Sequence, residues 1–367
     1  MLTTSRKLPY YLAMIRLHRT FIPILLIGLL SASAFGQQSA NLSFKEGDVY
    51  EKYRDSLKNT PYDWTLPILG SKVRKLGFDL PYPTGIGFNY AHSIQDVLIS
   101  ELQVGFDPDR LVNVDNLARF REVEATVDAY VARVDFWLLP FINVFGLVGR
   151  IESSTDVDLG LPIDLQFQVN NAGTSLGWGA IVAGGIGPMV MSANFVQNWT
   201  WIGSLKQPSK STIIDARAGY MHRFRHNPKS NIVFLVGAQY LGINANSSGE
   251  VKLEKLLGIT PEKKQEASDD LDAWYEDLSD PEKEIFGGLY GGLSDWLNTP
   301  SNAALYYDFD KRLYYPVSMT LGANYQLNPR WNFNAVYTFL GSREQFVFGF
   351  NYRFGIKGKN LMSGMTF

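Results

Sequence analysis

The sequence predicts an all-β protein, an antiparallel transmembrane β-barrel of about ten strands, with twelve as the alternative, that carries a long helical extracellular loop. Three observations predict it. The chain closes on strands with one aromatic, apolar face and one polar face. An N-terminal stretch has the form of a secretory signal. No later run reaches the roughly eighteen apolar residues of a membrane helix. An exported chain that meets lipid without a helical span is left with a closed barrel, because only closure satisfies every backbone polar group in hydrocarbon.

The clearest strands lie between Val317 and Phe354. Val317, Met319, Leu321, Ala323, Tyr325 and Leu327 alternate with Ser318, Thr320, Gly322, Asn324 and Gln326. Asn328-Pro329-Arg330 turns the chain. Trp331, Phe333, Ala335, Tyr337 and Phe339 then share a face, opposite Asn332, Asn334 and Thr338, and Gly341 to Glu344 form the next turn. In the last strand Phe346, Phe348, Phe350, Tyr352 and Phe354 alternate with Gln345, Val347, Gly349, Asn351 and Arg353. A soluble sandwich also alternates, but five aromatics on one face of one strand suit lipid.

From the N-terminus, Arg16, His18 and Arg19 precede the apolar run Phe21 to Leu30 and the small-residue stretch Ser31 to Gly36. That is a signal peptide over residues 1–36, cut near Gln37, with Met14 an alternative start. The chain has no Cys, which avoids mispairing in an oxidising periplasm. Removal of the signal leaves 30 basic against 36 acidic side chains, so there is no basic surplus for nucleic acid. Residues 37–82 are polar and turn-rich, with a short helix around Asp48 to Leu57, and form a periplasmic extension that is either a flexible arm or a plug.

The barrel is expected over 83–354, with a tail at 355–367. Phe88, Tyr90, Ile94, Leu98, Leu102, Val104 and Phe106 keep one phase for longer than a crossing needs, as one long strand or a hairpin around His92 to Asp96. Tyr130, Ala132, Val134 and Phe136 oppose Arg133 and Asp135. After the turn at Pro140, Phe145, Leu147 and Ile151 are read as outward, with Arg150 and Glu152 inward. Asp156 to Gln168 is a weaker strand-like stretch. Trp178, Ala180 and Val182 are outward, as are Met189, Met191, Ala193, Phe195, Trp199 and Trp201 beyond the Gly187-Pro188 turn; the two Trp suit an aromatic girdle. Ile214, Ala216, Ala218, Tyr220 and Phe224 alternate with Asp215, Arg217, Gly219 and Arg223, and Ile232 to Tyr240 return. With Phe354 at the periplasmic end, the short turns at Pro140, Pro188, Pro228 and Pro329 all fall on that side and the long segments 107–124, 153–174 and 243–314 outside.

Segment 243–314 departs from the β pattern. Thr260-Pro261-Glu262 starts one helix, and Ser279-Asp280-Pro281-Glu282 starts another with capping-box spacing. The second carries the stripe Ile285, Phe286, Leu289, Tyr290, Leu293, Trp296 and Leu297, which must be buried. The expected arrangement is a lid on or in the barrel mouth; a helix on the lipid headgroups or against a partner is the alternative. The doublets Gly287-Gly288 and Gly291-Gly292 permit close backbone approach.

Gly349, Tyr352 and Phe354 have the spacing of the assembly signal of outer-membrane barrels, although thirteen residues follow. Leu80-Pro81-Tyr82-Pro83-Thr84-Gly85-Ile86-Gly87 and Asp135-Phe136-Trp137-Leu138-Leu139-Pro140-Phe141-Ile142-Asn143-Val144-Phe145-Gly146 resemble a group of uncharacterised, porin-like outer-membrane β-barrel proteins of Gram-negative bacteria. The resemblance implies location and fold without an activity; the helical loop is no part of it.

Eight charged residues fall on phases read as inward: Arg133, Asp135, Arg150, Glu152, Asp215, Arg217, Arg223 and Arg353. They either interlock to fill the lumen or line a polar passage for small solutes. The functional expectation is a passive or gated channel; the alternatives are a structural or interaction barrel with a partner-binding loop and, less favoured, an outer-membrane hydrolase. His92, Ser93 and Asp96 are weighed as a catalytic set and set aside, because adjacent strand residues point to opposite faces. His222 lies on an apolar face and His226 in a turn. No metal-ligand spacing, phosphate loop or acyl-transfer elbow is present, so neither enzyme activity nor a cofactor is expected. The expected partners are outer-membrane lipid and the barrel-assembly machinery, with small solutes under the channel reading; oligomeric state is left open.

Overall fold

A computed structural model describes residues 48–357, apart from 116–118, 161–163, 204–206, 244–245, 253–260 and 299–303. The segment expected to be a signal peptide, residues 37–47 and most of the tail lie outside the described residues. Two short helices, α1 (Asp48–Asn59) and α2 (Gly70–Lys75), come first. The strands follow as β1 (Thr84–Gly105), β2 (Val112–Asn113), β3 (Arg119–Leu139), β4 (Ile142–Gly160), β5 (Asp164–Ile186), β6 (Met189–Ile202), β7 (Ser209–Phe224), β8 (Asn227–Ile243) and β9 (Asn246–Lys252). After helices α3 (Pro261–Asp277) and α4 (Asp280–Asn298) come β10 (Ala304–Leu313), β11 (Val317–Gln326), β12 (Trp331–Phe339) and β13 (Arg343–Phe354).

Ten of these strands close a barrel. The order runs β13-β12-β11-β8-β7-β6-β5-β4-β3-β1, and β1 pairs back onto β13 from Thr84↔Phe354 to Gln95↔Arg343, all antiparallel. Closure leaves no strand edge within the barrel ring. The protein is thus a ten-stranded antiparallel transmembrane β-barrel. The twelve-strand alternative fails for a simple reason: the first long phase is one strand, and of Asp156 to Gln168 the described residues belong to the upper halves of β4 and β5, paired from Asp156↔Gln168 to Gly160↔Asp164.

Outward positions carry the exposed apolar side chains, among them Ile86, Phe88, Val134, Trp178, Met191, Ile214, Phe234, Leu321 and Phe348. In water such a wall would be untenable; in lipid it is the favoured surface. Tight turns at 139–142, 186–189, 224–227 and 327–330 mark one end, where β1 starts and β13 finishes. At the other end β1, β3, β4 and β5 continue over 19 to 23 residues in all, about twice what a membrane crossing takes.

The insert between β8 and β11 contains more than helices. Above Gln95, β1 leaves β13 and pairs instead with β10, from Val97↔Leu313 to Gly105↔Tyr306, with a bulge between Ser100 and Gln103. β9 adds to β10 and β2 to β1, so a separate sheet stands off the barrel. The α3–α4 pair packs on that sheet. Leu102, Val104, Val114, Ala267, Leu271, Leu289, Leu293, Trp296 and Leu297 form its core, flanked by Phe286 and Tyr290. The stripe of α4 is therefore buried on β1, β2 and β10, in a core formed with the upper part of β1. Ile285 is exposed and takes no part. Of the four glycines in α4, Gly292 makes the close approach: a Cβ there would fall 2.1 Å from the Phe106 ring.

Candidate functional site in the lumen

Strand register sorts the charged candidates. Asp135, on the inner face of β3, has no solvent exposure. Its carboxylate accepts from Arg353 Nη2 at 2.9 Å, from Asn143 Nδ2 at 2.7 Å and from Asn351 Nδ2 at 2.7 Å. Arg133 Nε lies 3.6 Å away, while its Nη2 donates to Asn143 at 2.8 Å and its guanidinium stacks 3.9 Å above the Phe145 ring. Residues from β3, β4 and β13 thus interlock, each charge held by opposite charge and hydrogen bonds.

A second group lies at the other side of the ring. Asp215 on β7 is ion-paired to Arg217 at 3.3 Å and accepts from Asn194 Nδ2 of β6 at 3.0 Å. The Arg217 pair runs along one strand rather than across two. Arg343 of β13 donates to Gln239 of β8, three strands further round the wall, so that its side chain forms a chord through the lumen. Ser318, Thr320, Thr338, Gln239 and Arg343 are all buried.

Arg150 and Glu152 do not belong to the lumen. In β4 it is Asn143, Phe145, Leu147 and Ile151 that pair with the inward residues of β3, while Arg150 and Glu152 sit opposite outward-facing Tyr130 and Asp128. Their ion pair, 2.8 Å, is exposed on both sides. The phase was inverted because β4 is apolar on both faces, and the larger apolar side chains fill the lumen. Arg223 faces inward at the short-turn end, its guanidinium 5.5 Å from the Tyr50 ring of α1.

The N-terminal segment docks at that same end. Ile68 N–H donates to Leu138 O at 2.9 Å, Trp137 N–H to Pro83 O at 2.8 Å, and Arg353 Nη1 to Tyr82 O at 3.1 Å. Tyr53 donates to Asp79 at 2.8 Å, and Arg330 lies 5.2 Å from the Tyr82 ring. At the last strand, Arg330 Nη1 donates to the Tyr352 hydroxyl at 2.8 Å. Gly349 makes room for its neighbours, since a Cβ there would fall 2.0 Å from Asn89 Oδ1.

The histidines are dispersed. His92 points outward and contacts Asp128 Oδ1 at 2.9 Å, with Tyr90 donating to the same oxygen at 2.6 Å; Ser93 points inward and accepts from Gln95. Among the described residues no group of three acidic or histidine side chains is placed to hold a metal. Sequence reasoning missed Asn143, Asn351, Gln239 and Arg343. Asn351 and Gln239 lay on readable inward phases but were passed over for charges, Asn143 shared the inverted phase of β4, and Arg343 was assigned to a turn that in fact centres on Leu340 and Gly341, both with positive φ.

No protein-family model and no curated protein matches the chain. Solved barrels resemble it loosely. The translocator domain of the autotransporter NalP from Neisseria meningitidis aligns over 83% of this chain and 94% of its own at 11% identity, with a TM-score of 0.30. An outer membrane channel from Pseudomonas putida F1 aligns over 75% and 97% at 10% identity, TM-score 0.28. The transport unit of the autotransporter AIDA-I from Escherichia coli aligns over 84% and 100% at 7% identity, TM-score 0.30.

Proposed function

We propose that this protein is an outer-membrane barrel of a Gram-negative bacterium, closed by its own lumen side chains, that displays its α/β module outside the cell for a partner. The supporting observation is the Arg343 chord. It crosses from β13 to β8 above Thr338 and Thr320, which are left with 1% and 0% exposure. A barrel of about ten strands has little interior beyond its side chains, and here polar groups from most strands occupy it. The module, by contrast, has its own core, and it joins the ring through the upper part of β1.

A gated passage for small solutes is the second reading, favoured by the docking of the N-terminal segment. Tyr50 and Tyr82 hold it at the short-turn end through polar and cation–π contacts with Arg223, Arg330 and Arg353 of the barrel, which water can replace at modest cost. Single-channel conductance of refolded protein in a planar bilayer separates the two. The full chain is measured beside variants lacking 254–299 or 37–82. Silence from all three, with insertion verified, is the outcome for a closed barrel; steady conductance by the full chain overturns it, and conductance only after a deletion identifies the deleted segment as a gate.

A further inference from the structure

At the short-turn end the N-terminal segment continues the barrel wall beneath β1. β1 begins at Thr84, between β13 and β3. Under its start the stretch Trp64–Ile68 runs from one of these neighbours to the other. Trp64 forms an antiparallel bridge with Lys357, and the Thr65 N–H donates to Ile356 O at 3.3 Å, just past the end of β13. At the other end of the stretch the Ile68 N–H donates to Leu138 O at the end of β3.

The side chains along this line are apolar and unburied. Ile68 and Leu69 are 53% and 47% exposed, and Leu138, Phe141 and Ile356 beside them are exposed as well. Leu138 keeps the phase of Val134 and Phe136, and Ile356 follows β13 in the phase of Phe348 and Phe350, so both belong to the face that meets lipid. Leu69 adds a separate observation. Its φ of 72° is a left-handed conformation in which glycine or asparagine is the ordinary occupant. A leucine there carries a backbone cost, and nearly half of its surface has no protein contact to set against it.

Aromatic and basic groups frame the surface as they do at a lipid headgroup boundary. Trp64 stands 5.5 Å from the Tyr82 ring, Arg330 lies 5.2 Å from Tyr82 and 5.9 Å from Tyr352, and Trp331 is 5.0 Å from Tyr352. Two of these rings belong to the N-terminal segment and two to the barrel, so one girdle is built from both. α2 follows Leu69 at once and exposes Lys72 and Lys75, whose long stems let an ammonium group reach headgroup phosphates.

We propose that the N-terminal segment is anchored in the membrane itself: Ile68 and Leu69 insert into the acyl region of the leaflet at the short-turn end, with Trp64 and Tyr82 at its headgroups and Lys72 and Lys75 toward its phosphates. The occupant of this surface is phospholipid, because the surface is continuous with the wall that lipid already covers. The anchor goes beyond the proposed function and holds whether or not the barrel conducts.

The chain has no cysteine, so single cysteines report position without background. Refolded full-length protein with a bimane label at Leu69→Cys, Phe141→Cys or Lys52→Cys is placed in phosphatidylcholine vesicles with and without a nitroxide-bearing phosphatidylcholine. The expected result is quenching at Leu69→Cys that matches Phe141→Cys on the barrel rim, with little at Lys52→Cys on the exposed side of α1. Quenching at Phe141→Cys with none above the Lys52→Cys level at Leu69→Cys overturns the proposal and leaves the lipid-facing wall standing; no quenching at either takes the rim out of lipid and the proposal with it. Ile68→Cys is the second reporter where a label at Leu69 disturbs the turn. Asparagine accepts the left-handed backbone, so Ile68→Thr with Leu69→Asn removes apolar surface and keeps the conformation. Hydrogen exchange over residues 64–76 in vesicles then accelerates by about tenfold or more, because two aliphatic side chains lose their hydrocarbon contact. Unchanged exchange in that variant overturns the proposal equally.

Discussion

Asp135 on β3 and Arg353 on β13 are separated in the wall by β1, yet their charged groups meet at 2.9 Å. Gly85 of β1 explains how. It pairs with Asp135 on one side and with Arg353 on the other, so the three stand in one row across the inner wall. A Cβ at Gly85 would fall 2.7 Å from Asp135 Oδ2 and 2.6 Å from Asn351 Oδ1. The missing side chain is the space in which the network closes, and three strands are stitched where adjacent strands alone would normally touch.

Loss of Asp135 leaves Arg133 and Arg353 without their carboxylate inside the barrel. Asp135→Ala is expected to lower stability by about 3–5 kcal/mol, the usual cost of stranding a buried charge. Urea unfolding in lipid vesicles, followed by tryptophan fluorescence and gel mobility, measures it. Arg353→Ala made in the Asp135→Ala background should cost much less than alone; simple additivity would show that the 2.9 Å contact carries little energy.

Gly85→Val tests the space rather than the charge. The added side chain must displace Asn351 and Asp135, so the variant should lose most of what Asp135→Ala loses. Combining the two changes should then add little. Unfolding with parental stability would mean that the network re-forms around a side chain, and the role given to the glycine would be wrong.

Much of this was legible beforehand, for a physical reason. In β11, β12 and β13 the outer face meets lipid and the inner face meets amides and hydroxyls, so Phe348 and Asn351 announce their sides by polarity alone. In β4 that contrast vanishes. Phe145 lies inside because a cation, Arg133, stacks on it, and the outward positions below Arg150 are the smaller Val144 and Val148, so alternation pointed the wrong way. The standing sheet was missed for another reason. Leu305, Tyr307 and Phe309 do alternate, but their partner strand is the upper half of β1, some two hundred residues earlier in the chain, and no local pattern reports such a pairing. The two helix starts, set by local capping chemistry, lie where Pro261 and Ser279 place them.

The exposed position of Arg150 and Glu152 has a measurable consequence. A solvent-exposed pair is worth at most about 0.5–1 kcal/mol, so Arg150→Ala and Glu152→Ala should each change stability by no more than that. Any conductance seen in a deletion variant should keep its ion selectivity when either is replaced. A selectivity change, or a loss several times larger in unfolding, would return the pair to the lumen.

The start of α4 should respond to acid. Glu282 accepts from both the Ser279 N–H, at 2.9 Å, and the Ser279 hydroxyl. These bonds favour the carboxylate and hold Glu282 below the ordinary glutamate range, the side-chain bond contributing most and the backbone bond next. Because the folded value is lowered, the cap's contribution is present above the unfolded glutamate value and is lost as pH falls through the folded one. Hydrogen exchange at the first turn of α4, corrected for intrinsic rates, should therefore accelerate on acidification below that range. Glu282→Gln keeps an acceptor and should flatten the profile; an unchanged profile would show that another group governs the fraying.

The α/β module and the barrel should unfold separately. Leu271 of α3 has no exposed surface and lies among Leu289, Leu293 and Trp296, in a cluster whose strand members, Leu102 and Val104, sit above the point where β1 leaves the ring. Truncation to alanine leaves a cavity that costs about 2–5 kcal/mol. A module of two helices on a small sheet has little reserve against such a loss. The barrel does not share that core, because its strands are joined by backbone ladders from β13 round to β3 and its interior by the Asp135 and Asp215 groups. Leu271→Ala should therefore abolish exchange protection in α3 and α4 while the folded barrel's gel mobility persists. Ile285→Ala, on the exposed side of the same helix, should leave both unchanged. Simultaneous loss of module and barrel in Leu271→Ala would show that the standing sheet is a structural part of the ring.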